Sequence, residues 1–149
     1  MGESVDFLNY LDVKMNLDEV DLREYSPLVL AYIGDDIYDL VIRTMLVKRQ
    51  NCQVQKLHKR ASALVKAQKQ AEMIEKLMPH LTEDEIRIYK RGRNAKSYSK
   101  AKNASTLDYR KATGFEALMG YLYLKKDMKR IIDLVYIGLS EKSSEHIEE

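Results

Sequence analysis

Apolar side chains in this chain recur at helical spacing in one long segment after another, and no segment shows a convincing strand alternation. The clearest run, Leu28 to Val47, places Leu30, Ile33, Ile37, Leu40, Val41, Thr44 and Met45 on one wide stripe. Ser26 and Pro27 before it are a helix-start signal, a cap followed by a proline in the opening turn. Gly34 interrupts the run; a helical glycine costs about 1 kcal/mol and usually has a packing reason. A second helix is expected from about Val54 to Met78 on Leu57, Ala61, Leu64, Val65, Ala67, Ala71, Ile74 and Leu77, with Pro79 as its stop. Thr82 and Glu85 form a capping box for a short helix that meets Gly92. Arg91 to Thr106 is polar and basic and is expected to be a loop or mobile arm. Leu107 to Leu124 is helical again, burying Phe115, Leu118, Met119 and Leu122. The last helix, Met128 to Leu139, is expected to turn Ile131, Ile132, Leu134, Val135 and Ile137 inward. The fold class is therefore all-α.

At 149 residues and 45% apolar content, the chain suits one domain with a real core. Its expected division is a polar lead-in over 1–26, a folded domain over 27–140 with a basic arm at about 87–106, and an acidic tail over 141–149. Cys52 is the only cysteine, so no internal disulfide can form. No secretory apolar region opens the chain and no stretch is long and apolar enough to span a bilayer, so a soluble, cytoplasmic protein with no membrane partner is expected. His58, His80 and His146 make no ligand spacing, and Ser97 and Ser99 have no convincing base, which argues against histidine metal sites and serine hydrolase chemistry.

A net charge of +2 conceals segregated signs. Residues 1–40 are rich in Asp and Glu, with only Lys14 and Arg23 as bases. Arg43 to Lys69 holds Arg43, Lys48, Arg49, Lys56, Lys59, Arg60, Lys66 and Lys69 and no acid. Residues 87–111 are basic apart from Asp108. Such segregation suits either a face for a polyanion or a set of solvated helix faces.

Two acids stand out by their surroundings. Asp35 follows Gly34 inside an apolar helical run, and Glu116 lies between Phe115 and Ala117 in another. A carboxylate in such a place is costly unless it is paired or holds a metal. Either the two sit at the polar edges of their stripes or they bind a cation; both readings stand. Asp39, one turn after Asp35, projects from the same side and is a candidate outer contact, whereas Asp36 points away. Gly34 beside Asp35, and Gly120 one turn after Glu116, are expected to leave room for the close approach of a substrate backbone. Carboxylates for a divalent ion together with bases for phosphates point to a nuclease more than to a passive binder.

The run Leu30-Ala31-Tyr32-Ile33-Gly34-Asp35-Asp36-Ile37-Tyr38-Asp39 resembles the signature helix of the ribonuclease III family. Thr113-Gly114-Phe115-Glu116-Ala117-Leu118-Met119-Gly120-Tyr121-Leu122-Tyr123-Leu124 resembles the family's second acidic helix. Lys90-Arg91-Gly92-Arg93-Asn94-Ala95 resembles the basic motif of a compact branch, Mini-ribonuclease III. The three lie in the family's order, and the resemblance covers roughly Pro27 to Leu139.

The resemblance implies the all-helical ribonuclease III catalytic fold, a homodimer, and Mg²⁺-dependent endonucleolytic cleavage of double-stranded RNA that leaves a 5′-phosphate and a 3′-hydroxyl. It implies Asp35 and Glu116 as the catalytic and metal-binding residues. It also implies a large-subunit (23S) ribosomal RNA precursor as substrate. No double-stranded-RNA-binding domain is expected, so phosphate contacts fall to Arg87, Lys90, Arg91, Arg93, Lys96, Lys100 and Lys102. The chain departs from the wider family at Ala31 and Thr113, where other members carry acids, and in the region of Leu28, where an upstream acid is missing. The compact branch shows the same thinning. A thinned carboxylate shell is also what a non-catalytic RNA-binding helical protein assisting ribosome assembly would show, and that is the competing reading.

Overall fold

The computed structural model describes residues 3–95 and 106–140, and among these the regular structure is helical, with no strand. The helices are α1 (Glu3–Lys14), α2 (Pro27–Arg49), α3 (Val54–Val65), α4 (Ala67–Leu77), α5 (Glu83–Asn94), α6 (Thr106–Leu124) and α7 (Met128–Leu139). Single 3₁₀ turns occupy Leu22–Glu24 and Met78–His80.

Helix α6 is the axle of the fold. It buries Ala112, Gly114, Phe115, Ala117, Leu118, Met119, Gly120 and Leu122, almost its whole circumference. A helix apolar all round belongs inside, and α2, α4 and α5 pack around this one. The main core joins Tyr38 and Ile42 of α2, Met73, Ile74 and Leu77 of α4, Phe115, Leu118, Met119 and Leu122 of α6, and Ile131 and Leu134 of α7. A smaller cluster of Leu30, Ala31, Ile88 and Ala117 fills the corner between α2, α5 and α6. The lead-in is anchored by Leu8, buried on α1, and by Lys126, whose Nζ lies 3.4 Å from the Asp12 carboxylate.

Helices α2 and α6 cross in backbone contact. A Cβ on Gly34 would stand 1.7 Å from the Glu116 carbonyl oxygen, and one on Gly120 would stand 1.9 Å from the Leu30 carbonyl oxygen. The expectation that these glycines leave room for a substrate is therefore corrected. Each gives its space to the opposing helix.

The single helix expected over Val54–Met78 is two helices. Lys66 is extended (φ −70°, ψ 157°) and ends α3 as it begins α4. A break strands carbonyls that a continuous helix would have bonded. Two side chains take them up. The Tyr38 hydroxyl donates to the Leu64 oxygen at 2.7 Å, and the Gln70 amide Nε2 donates to the Val65 oxygen at 2.7 Å.

The start of α5 is fixed by the expected capping box. The Glu85 N–H donates to Thr82 Oγ1 at 3.1 Å, and the Thr82 N–H donates to Glu85 Oε1 at 2.9 Å. Glu85 is also buried against α7, where Arg130 donates to both its oxygens at 2.8 Å and to the His80 carbonyl at 2.8 Å. Helix α5 runs on to Asn94, so the loop expected from Arg91 does not begin there. Leu40 (58% exposed) and Ile132 (53% exposed), both expected inward, face solvent. Each lies beside its stripe rather than at its centre, where small changes in helix rotation decide burial.

Candidate active site

The crossing of α2 and α6 brings Asp35 and Glu116 together. Asp35 follows the glycine that touches the Glu116 backbone, so the two acids sit at the point of closest approach. Two aromatic rings flank them from below. Tyr38, one turn after Asp35, and Phe115, the neighbour of Glu116, meet edge to face with centroids 5.0 Å apart. Tyr38 is wholly buried and its hydroxyl also contacts the Met73 sulfur at 3.2 Å; it supports the site and does not enter it. Tyr32, the other tyrosine on this stretch of α2, is 81% exposed.

Asp35 is open to solvent on one side and Glu116 is partly buried. Their side chains share a hydrogen bond. Burial first, and then the negative charge of Asp35, push the Glu116 carboxyl up to about 8, against the pull of the Gln70 amide. Burial also raises Asp35; its bond with Glu116 opposes this, while Asp39 and Asp36 add to it. Two carboxyls this close cannot both ionise cheaply, so the pair holds one proton on Glu116 in neutral solution. A divalent cation relieves the same repulsion, which is the usual reason for facing carboxylates on a rigid scaffold.

Gln70 completes the inner wall and had no place among the candidates. Its Nε2 donates to Glu116 Oε2 at 3.2 Å as well as to Val65. It is 2% exposed, and its Oε1 is buried with no hydrogen-bond partner among the described residues. A signal was present: Gln70 is a polar residue on the buried face that Met73, Ile74 and Leu77 continue.

The other assigned positions behave differently. Asp39 is engaged by Arg43 Nε at 3.1 Å and bears on Asp35 through its charge. Ala31 is buried in the smaller cluster and has no side-chain oxygen, and the Thr113 hydroxyl donates back to the Tyr109 carbonyl at 3.0 Å. Among the described residues, no group of three or more His, Cys, Asp and Glu gathers in a way that could hold a metal. The oxygen donors available at the crossing are the two carboxylates, a small hard set that suits Mg²⁺ only with water completing the shell.

Of the proposed phosphate contacts, Arg87, Lys90 and Arg91 are exposed and share one face of α5 at helical spacing. Arg87 is paired with Asp84. Arg93 lies over the Tyr89 ring, 5.7 Å from its centroid, and its Nε donates to Asn94 at 3.2 Å. The last turn of α5 abuts the start of the acidic stretch of α6, with a Cβ on Gly92 falling 3.2 Å from the Thr113 oxygen. Lys96, Lys100 and Lys102 lie outside the described residues. No helix among the described residues is long and apolar enough to cross a membrane.

Comparison with known proteins shows the family. The Ribonuclease III domain family matches residues 28–127. Mini-ribonuclease 3 of Clostridium tetani is 47% identical over 129 residues, spanning 85% of each chain. Mini-ribonuclease 3 of Brevibacillus brevis is 49% identical over 110 residues, 74% of this chain and 82% of that one. A crystal structure of a Fusobacterium nucleatum protein superposes with a TM-score of 0.72 at 32% identity, covering 80% of this chain and 95% of that one. The helical fold and this degree of likeness place the chain in the ribonuclease III family, within its Mini-ribonuclease 3 branch.

Proposed function

We propose that the protein is a Mg²⁺-dependent endoribonuclease that hydrolyses phosphodiester bonds of double-stranded RNA, with Asp35 and Glu116 as the residues that hold the cation. The observation that carries this reading is the pair itself, two carboxyls brought from separate helices to the point where α2 and α6 touch, at a solvent-accessible surface. When bound, the ion supplies positive charge to polarise the scissile phosphodiester. The chain's own part is to fix both acids on a rigid crossing, so that the site needs little reorganisation. Gly92 in the last turn of α5 packs against Thr113 and Ala117 of α6, and the α5 bases Arg87, Lys90, Arg91 and Arg93 would hold flanking phosphates, joined by Lys96, Lys100 and Lys102. Family membership favours a large-subunit ribosomal RNA precursor as substrate and a homodimer as the working form. Leu40, Val47, Ile132 and Tyr136, apolar and exposed on α2 and α7, offer surface for a second copy.

The test is incubation with a perfect RNA duplex and Mg²⁺, read on a denaturing gel. Wild-type protein is expected to cut, and Asp35→Asn and Glu116→Gln to lose cutting while keeping helicity. Full cleavage by either variant removes its residue from the site. A duplex that is bound and never cut by wild-type protein supports instead the non-catalytic RNA-binding reading, which the absence of a third carboxylate among the described residues favours. Sedimentation of the intact chain at micromolar concentration tests the dimer.

A further inference from the structure

We infer that Gln70 is a positioning residue of the active centre: its amide nitrogen fixes Glu116, and its amide oxygen accepts a hydrogen bond from a water carried by the cation. This rests on the proposal that Asp35 and Glu116 hold that cation.

The orientation of the amide is set by its neighbours. The Val65 carbonyl can only accept, and it lies 2.7 Å from Nε2. Turning the amide over would set Oε1 against that carbonyl, oxygen to oxygen. Nε2 therefore faces Val65 and Glu116, and Oε1 is left as a buried acceptor with no donor among the described residues. Native proteins rarely leave such a group unmet. A donor that meets it must be small, because the oxygen is buried, and the other end of the same amide is bonded to Glu116.

The composition of the site says what that donor belongs to. Every ionisable group in it is acidic, and Ala31 has no side-chain oxygen to offer. A cation held by two carboxylates keeps most of its shell as water, and its positive charge makes those waters strong donors. A neutral amide answers them without adding a third negative charge beside Asp35 and Glu116. The α3–α4 break at Lys66 is what frees the Val65 oxygen and turns Gln70 toward the site.

The experiment titrates Mn²⁺ onto the intact, RNA-free protein by calorimetry, with cleavage measured in parallel across Mg²⁺ concentrations. Partners of this kind usually change metal affinity about 10–100-fold. Gln70→Leu is expected to weaken Mn²⁺ binding by that factor and to raise the Mg²⁺ needed for half-maximal cleavage equally, with cutting restored at high Mg²⁺. A purely structural role would lower the melting temperature and leave both metal curves in place. A folded Gln70→Leu protein with wild-type Mn²⁺ affinity overturns the inference, because Oε1 then meets an ordinary buried water. Should Gln70→Leu fail to fold, a crystal structure of the wild-type protein with Mn²⁺ decides: Oε1 bonded to a water on the ion supports the inference, and Oε1 partnered elsewhere overturns it. Asp35→Asn and Glu116→Gln are titrated alongside. If both bind Mn²⁺ like wild type, the cation reading fails and Gln70's role fails with it. If they lose binding and Gln70→Leu does not, only the role of Gln70 falls.

Discussion

The backbone oxygen of Glu116 occupies the place where a side chain on Gly34 would begin, 1.7 Å from its ideal Cβ. The obstacle is helix backbone and cannot swing aside. Overpacking costs typically about 1–3 kcal/mol, and more where nothing flexible can yield. Gly34→Ala is therefore expected to destabilise the fold by about 3 kcal/mol or more, lowering the melting temperature by roughly 6–12 °C for a chain of this size. Since the same shift separates Asp35 from Glu116, cleavage should fall further than the folded fraction does. A melting curve that overlays the wild type would show that the crossing is looser than described.

Metal binding should depend steeply on pH. Glu116 keeps its proton up to about 8, and a cation must displace it. Mn²⁺ affinity is expected to rise on the order of tenfold per pH unit below that value and to level off above it. Calorimetry in buffers of different ionisation enthalpy would also count the released proton. A flat affinity between about pH 6 and 9 would contradict a proton shared by the two acids.

The same shift fixes the sign of a stability effect. The folded state holds a proton on Glu116 that the unfolded chain has already lost above its ordinary value of 4.5. The metal-free protein should consequently lose stability as pH rises from that value through about 8. Asp35→Asn removes the neighbouring charge and should flatten this loss, melting above the wild type in alkaline buffer with chelator. Such a variant would be more stable and inactive, a trade common at functional sites. If it melts below the wild type at every pH, the repulsion assigned to the pair is absent.

Glu85 titrates the other way. Burial alone would raise its carboxyl, but Arg130 and the Thr82 backbone hold it below the ordinary range. Its contribution is thus present above the unfolded value and is lost as pH falls through the lowered one. Arg130→Met strands a buried carboxylate, and breaking such a pair from one side costs about 3–5 kcal/mol. Adding Glu85→Gln should recover part of this, which a double-mutant cycle in urea would measure.

Duplex binding should be electrostatic. Lys90→Ala and Arg91→Ala are each expected to reduce the slope of log affinity against log salt by about 0.7–1, largely independent of RNA sequence. Arg87→Ala should do less, because Asp84 already neutralises Arg87. Filter binding at several salt concentrations, with Ca²⁺ in place of Mg²⁺ to prevent cutting, reads the slopes.

The spans of α2, α6 and α7, the capping box at Thr82 and Glu85, and the two acids embedded in apolar stripes were legible in the chain, because periodicity, caps and local polarity are properties of neighbours in sequence. The break at Lys66 was not, since its exposed carbonyls are satisfied by Tyr38 and Gln70, the first of these from another helix. Nor was the purpose of Gly34 and Gly120, which answers to a backbone from a distant part of the chain. Local sequence could mark Asp35 and Glu116 as costly; only packing α2 against α6 could make them one site and set Gln70 beside them. Local free energies choose the helices, whereas a shared proton or an unmet amide oxygen exists only after distant surfaces have excluded water from between them.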